Sequence, residues 1–390
     1  MKKLCILLIA LFAFNMTNAQ WQQTSLDSTT VNSITIQDSC IYAGSYYGIY
    51  RSTNNGNSWS QVNNGLTYTF VNTLASKDSN IFAGAIRNVF LSNDMGNHWV
   101  EKINGISNDF IYSLAINGNN IWAGGTGALY LSTDNGNNWI DKRNGASIST
   151  ILAFAFIGNN IILGDDFNGL FLSSNNGNNW YSVNSGIPVC YGVNALATIG
   201  NKVFAATTTW GMNLSTNNGY NWSAINNGIS NTLTKSLAVF DTIIFLGTEG
   251  KGVFISKDYG NSWIAVNSGL QNLEIESLSI NNNYLFAGTN NSGVWKRPLS
   301  EMTGITEIKL NNNFTISPNP AITNLCINLQ QQTKLQNTTV SIYDIQGKLL
   351  LQQELTQPQT DLNIAPLAKG IYVVKVNNDN NSMVSKFIKE

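Results

Sequence analysis

Hydrophobic and polar positions alternate along most of this chain, in runs too short for ordinary helices. One kind of run alternates: Val71-Asn-Thr-Leu-Ala75, Ile111-Tyr-Ser-Leu-Ala115, Val193-Asn-Ala-Leu-Ala197 and Ile275-Glu-Ser-Leu-Ser279. A period of two predicts strands with one face toward a core. A second kind is short and apolar and ends in Gly or Ala. Its copies are Ile41-Tyr-Ala-Gly44, Ile81-Phe-Ala-Gly84, Ile121-Trp-Ala-Gly124, Ile161-Ile-Leu-Gly164, Val203-Phe-Ala-Ala206, Ile244-Phe-Leu-Gly247 and Leu285-Phe-Ala-Gly288. A third strand, such as Val89-Phe-Leu91 or Val253-Phe-Ile255, follows and leads into a recurring polar turn, after which a fourth begins. Four strands per period predict a propeller blade.

The turn is one motif in six copies: Ser52–Trp59, Ser92–Trp99, Ser132–Trp139, Ser173–Trp180, Ser215–Trp222 and Ser256–Trp263, each reading Ser-x-(Asp/Asn)-x-Gly-x-x-Trp. The closing tryptophans fall 40, 40, 41, 42 and 41 residues apart, the spacing of a repeat array. Asn54, Asp94, Asp134, Asn175, Asn217 and Asp258 supply side-chain acceptors for loop amides. Gly56, Gly96, Gly136, Gly177, Gly219 and Gly260 take the positive φ that other residues resist. Trp59, Trp99, Trp139, Trp180, Trp222 and Trp263 open the next strand and pack back over the sheet. Burying one such ring removes about 150–250 Å² from water, worth about 4–6 kcal/mol before opposing terms. The motif resembles the Asp-box, or bacterial neuraminidase repeat.

The seventh period lacks the turn: Gly293-Val-Trp-Lys-Arg297 aligns with Gly48-Ile-Tyr-Arg-Ser52, but Pro298 follows. Trp21-Gln-Gln-Thr24 precedes Val31 much as Trp59 precedes Val71, so the first strand is expected to complete the last blade. The prediction is an all-β chain: a seven-bladed β-propeller over residues 20–298, then a linker over 299–313 and a small C-terminal β-sandwich over 314–390.

Composition narrows the classes. Hydrophobic residues make up 43% and charged residues 11%, with 33 Gly and a net charge of −1, which suits short strands and tight turns. No basic stripe speaks for nucleic acid. Residues 1–19 read as a signal peptide: Lys2 and Lys3, an apolar Leu4–Phe14, then Thr17-Asn-Ala19. The apolar run is too short for a transmembrane segment, and no later stretch is long enough. Cys40, Cys190 and Cys326 are dispersed and odd in number, so they read as small buried hydrophobes rather than a disulfide framework.

The C-terminal segment follows a different pattern. It contains Ser317-Pro318-Asn319-Pro320, Tyr343-Asp-Ile-Gln-Gly347-Lys348, Leu367-Ala-Lys-Gly370-Ile-Tyr-Val-Val-Lys-Val376 and Lys386-Phe-Ile-Lys389. In this order they resemble the type A C-terminal sorting domain of the type IX secretion system. The resemblance covers roughly residues 304–390, including Gly304-Ile-Thr-Glu-Ile308, and implies roles for Pro318, Asn319, Pro320, Gly347, Gly370 and Lys386. It implies a Bacteroidetes-type bacterium and export through the type IX machinery, with the tail removed and the propeller secreted or held at the cell surface.

Residues that carry chemistry are few. His98, the only histidine, lies inside a turn motif, so neither a His-based triad nor a zinc site is expected, and no cofactor is. The turns lack the alternating carboxylates of calcium loops. Four arginines, Arg51, Arg87, Arg143 and Arg297, do not offer the convergent triad that the sialidase resemblance would require. Loops between second and third strands differ blade by blade and hold residues the repeat does not need. Tyr46, Tyr47, Arg87, Phe167 and Trp210 are candidate ligand contacts, since a flat ring stacks on a pyranose face. Asp165, Asp166 and Glu249 are candidate catalytic carboxylates, and equally they are ordinary loop-tip residues. The expected function is an exported, non-enzymatic propeller that binds a carbohydrate or a protein. The alternatives are a glycoside hydrolase or lyase using those acids, and a structural or assembly-factor role.

Overall fold

The computed structural model describes residues 20–390 apart from 108, 188–191, 230–232, 304–313, 330–337, 345–347 and 378–381. The expected signal peptide, Cys190 and Gly347 therefore lie outside the described residues. The chain forms two compact units, Met1–Thr303 and Gly304–Glu390.

Among the described residues the first unit holds seven four-stranded antiparallel sheets. The first runs Val31–Gln37, Cys40–Ser45, Gly48–Ser52 and Ser60–Gln61. The other inner strands are Val71–Lys77, Ile111–Asn117, Ile151–Ile157, Val193–Ile199, Thr234–Phe240 and Ile275–Ile280. Each lies against the next and the last lies against the first, so the sheets close into a ring around a central channel. The outer strand of the seventh sheet is Gln22–Gln23, paired with the strand Val294–Pro298 in the register Gln22↔Lys296 and Gln23↔Trp295.

The core sits between adjacent sheets. Tyr42 and Ile49 of the first sheet pack with Val71, Ala83, Phe90 and Trp99 of the second. Leu26, Val31 and Ile41 pack with Phe286 and Val294, sealing the seventh sheet to the first. The turn motif supplies the fastening. Ser52 Oγ accepts the Gly56 amide and Asn54 Oδ1 accepts the Ser58 amide, both at 2.9 Å, while Asn55 and Gly56 take φ of 54° and 78°. Each later tryptophan then donates its indole N–H to a carbonyl of the preceding repeat: Trp99 to Val62, Trp139 to Lys102, Trp180 to Lys142, Trp222 to Val183 and Trp263 to Ile225. Trp21 makes the equivalent bond to Val266 at 2.7 Å and belongs to the same set. Trp59 and Trp180 are only half-buried, unlike the other motif tryptophans.

Two expectations need correction. The stretch expected to be linker from residue 299 starts as a short helix, Leu299–Thr303, because Leu299 and Met302 are apolar at helical spacing and enter the core beside Trp21 and Trp295. Cys40 is buried as expected, but Cys326 is only half-buried.

The second unit is a β-sandwich. One sheet holds Phe314–Ser317, Asn324–Leu329 and Gln359–Asn363; the other holds Leu349–Glu354, Thr339–Tyr343, Gly370–Asn377 and Ser382–Lys389. Leu325, Ile327 and Leu362 from the first meet Ile342, Val374 and Phe387 from the second. Asn319, between Pro318 and Pro320, accepts the Ile388 amide at 2.9 Å and donates to the Lys386 carbonyl, tying that segment to the final strand. Gly370 opens the strand that carries Tyr372 and Val374 into this core.

Candidate functional site

Register decides which loops gather at one end of the ring. The first residue of each inner strand pairs with the last of the second strand: Val31 with Ser45, Ile151 with Asp165, Thr234 with Thr248. The hairpin after the second strand therefore lies beside the start of the inner strand, where the crossing from the preceding sheet arrives. All the variable hairpins consequently share one face of the ring, as the repeat pattern predicts.

Each inner strand carries a β-bulge immediately after its first residue. The bulged positions are Asn32, Asn72, Tyr112, Leu152, Asn194, Lys235 and Glu276, and all seven line the central cavity of about 540 Å³. A bulge leaves one residue out of the ladder and re-aims its side chain, which here is toward the channel. Three of the seven do the same structural work. Asn32, Asn72 and Asn194 donate their amides to the carbonyls of Val71, Ile111 and Thr234, the first residues of the next inner strands.

The four departures fall into two pairs of adjacent sheets. Tyr112 and Leu152, with Phe154, make one side of the channel apolar. Across the ring Lys235 lies 3.5 Å from Glu276 and 3.7 Å from Glu249, the latter reaching it from the hairpin beside the start of its own strand. Asp166 stands on the hairpin of the fourth sheet, near enough for the Lys235 charge to act on it. Burial raises its carboxyl above the usual range, the neighbouring Asp165 charge adds to the rise, and Lys235 opposes it. These pairs are partly open to water, where such bridges contribute about 0–1 kcal/mol, so they matter more for local charge than for stability.

Asp165 does not belong to this group. Its side chain is 0% exposed and turned into its own loop, where it accepts the amides of Ser149, Phe167 and Asn168 and the Asn168 carboxamide. The Asp-Asp pair thus splits: Asp165 is turned inward and holds the hairpin, and Asp166 is only half-buried.

The candidate aromatics stand on three hairpins, Tyr46 and Tyr47 on the first sheet's and Phe167 and Trp210 on those of the fourth and fifth. Tyr46, Tyr47, Phe167 and Trp210 are all exposed, and Arg87 is exposed with φ of 72°. Tyr46 stacks on Phe70 of the following crossing at 4.3 Å, and Phe110 stacks near Tyr112 at 6.3 Å with nearly parallel rings. Phe70, Phe110, Tyr112, Lys235 and Glu276 are missed by a reading confined to hairpin tips. For Tyr112, Lys235 and Glu276 a signal is present all the same: the second inner-strand position varies while the apolar positions around it repeat. Among the described residues no cluster of His, Cys, Asp or Glu has metal-binding geometry, and no helix is long and apolar enough to cross a membrane.

Residues 315–390 match the family described as "Secretion system C-terminal sorting domain". No curated protein matches the chain. Among solved structures, the chain is similar to PorZ, an essential bacterial surface component of the type-IX secretion system of Porphyromonas gingivalis, at 16% identity and a TM-score of 0.57. That match covers 95% of this chain but only 61% of PorZ. YCF48 from Cyanidioschyzon merolae is similar at 14% identity over 72% of this chain and 99% of its own, with a TM-score of 0.57. A GH74 xyloglucanase from Xanthomonas campestris is similar at 14% identity over 73% and 54%, with a TM-score of 0.56. At such identities these likenesses speak for the fold alone. The chain is thus a β-propeller followed by a type IX secretion C-terminal sorting domain, which places the protein at the outer surface or outside the cell.

Proposed function

We propose that this protein is an exported seven-bladed, Asp-box propeller that binds a carbohydrate at the mouth of its channel without chemically altering it. The observation that carries this reading is the set of exposed aromatic rings, three of them in two stacks, beside a channel lined with amides and hydroxyls. Flat rings offer apolar area to the faces of sugar rings, and the carboxylates Glu249 and Glu276 accept hydroxyl hydrogens. On this reading residues 1–19 direct export across the inner membrane. The C-terminal domain then hands the protein to the type IX machinery, leaving the propeller free or surface-bound.

One observation favours a second reading, a glycoside hydrolase. Glu249 and Glu276 share Lys235, so their nearest oxygens are no more than about 7 Å apart, a bound compatible with the carboxylate spacing that such enzymes use. Against it, both carboxylates are engaged by the one Lys235 ammonium, whereas hydrolysis needs an acid free to hand a proton to the leaving group. Asp166 is the carboxyl whose surroundings favour the proton. The test is a glycan panel on the purified protein, with binding and reducing-end release recorded together. Binding without release supports the lectin-like reading, release promotes Asp166, Glu249 and Glu276 to catalytic candidates, and silence in both points to a protein partner.

A further inference from the structure

The bulged ring separates structural positions from free ones. Where the second inner-strand residue is Asn, its amide is occupied in fastening two sheets. Where it is Tyr112, Leu152, Lys235 or Glu276, the asparagine bond is absent, the Ile151 and Val31 carbonyls being held instead by the Ser113 and Ser277 hydroxyls, and the four departures are not scattered. In ring order the apolar pair and the charged pair are separated by one sheet on one side and two on the other, so they face each other across the channel.

The charged side is unbalanced. Lys235 is engaged by both Glu249 and Glu276, and Asp166 lies close enough to feel it. Other ionisable groups at this end lie on the hairpins or are paired. Arg87 and Lys251 sit on hairpins of the second and sixth sheets, Arg143 pairs with Asp141, Asn88 bonds Glu101, Glu274 bonds Asn290 and Asp109 bonds Tyr130. The cation best placed in the channel is thus already neutralised, and carboxylates remain in excess. A chain entering here with carboxylate or sulfate groups meets like charge in a confined space, whereas hydroxyl or amino groups meet acceptors.

Accepting the carbohydrate-binding reading above, we infer that the channel mouth selects polysaccharides built from neutral or amino-bearing sugars and rejects polyanionic ones. The apolar side supports the sugar face, and Glu249 and Glu276 both take hydroxyl or amino hydrogens and hold Lys235 away from anionic ligands.

The experiment is isothermal titration of the purified full chain at low salt with oligosaccharides of glucose, of glucosamine and of guluronate. It is repeated for Glu249→Gln, Glu276→Gln, the double variant and Lys235→Met. The wild type is expected to bind a neutral or amino oligosaccharide at least about tenfold more tightly than the guluronate chain. The double variant frees Lys235 and should close most of that gap, and Lys235→Met should not. If either single variant narrows the gap, the assignment stands even where the double variant fails to fold. Wild-type preference for guluronate overturns the selectivity while leaving carbohydrate binding intact. A preference that none of the glutamine variants alters removes these carboxylates as its source. No binding of any oligosaccharide overturns the binding reading, and this inference with it.

Discussion

The side-chain amide of Asn32 donates to the backbone carbonyl of Val71 at 2.9 Å, fastening the first sheet to the second at the rim of the channel. The carbonyl at the start of an inner strand cannot use its ladder partner normally, because the bulge follows at once. The asparagine of the preceding sheet satisfies it instead.

Asn72 tests this fastening. Its amide reaches the Ile111 carbonyl at 3.0 Å. Asn72→Ala is expected to lower stability by about 0.5–1.5 kcal/mol, the usual net worth of such a bond. A denaturant midpoint indistinguishable from wild type would show that water replaces the amide at no cost.

Ring closure rests on Trp21. The indole is buried among Phe245, Leu285 and Trp295 and bonds the Val266 carbonyl, while the next residues pair with Gln22↔Lys296 and Gln23↔Trp295. Trp21→Ala should cost about 3–5 kcal/mol, from lost burial and the space left behind. Thermal unfolding unchanged from wild type would sink the idea that the N-terminal segment locks the last sheet.

Asp165 is predicted to be structural. Asp165→Asn replaces one acceptor oxygen with an N–H group that opposes the amides now bonding it, and should destabilise by about 1–3 kcal/mol. The folded fraction should bind its ligand as before. Equal stability with lost binding would return Asp165 to the functional set.

Asn213 occupies a position where the other six sheets carry Tyr50, Phe90, Tyr130, Phe171, Phe254 and Trp295. It is 1% exposed, and neither atom of its amide has a hydrogen-bond partner among the described residues. Burying an unpaired amide is unfavourable. Asn213→Leu is therefore expected to raise stability by about 1–3 kcal/mol, read from chemical denaturation. A fall in stability would mean that the amide has a use in the folded protein.

The repeat architecture was legible in the residues themselves. Alternation, apolar runs and the turn motif are local signals, and an interval of about forty residues repeats them often enough to exclude chance. The sorting domain was legible for the same reason, since its motifs are short and ordered. The candidate site was only half legible. Tyr46, Asp166 and Glu249 stand out because nothing in the repeat requires them, and they do sit at the ring end where the hairpins gather. The helix at Leu299, the inward turn of Asp165 and the pairing of Lys235 with Glu276 could not be read that way. The last joins residues 41 positions apart, and a bulge turns both toward the channel. Local pattern determines which strands form, because their burial is decided within one repeat. Closing the ring decides which side chains share the channel, because only then do positions one period apart become neighbours.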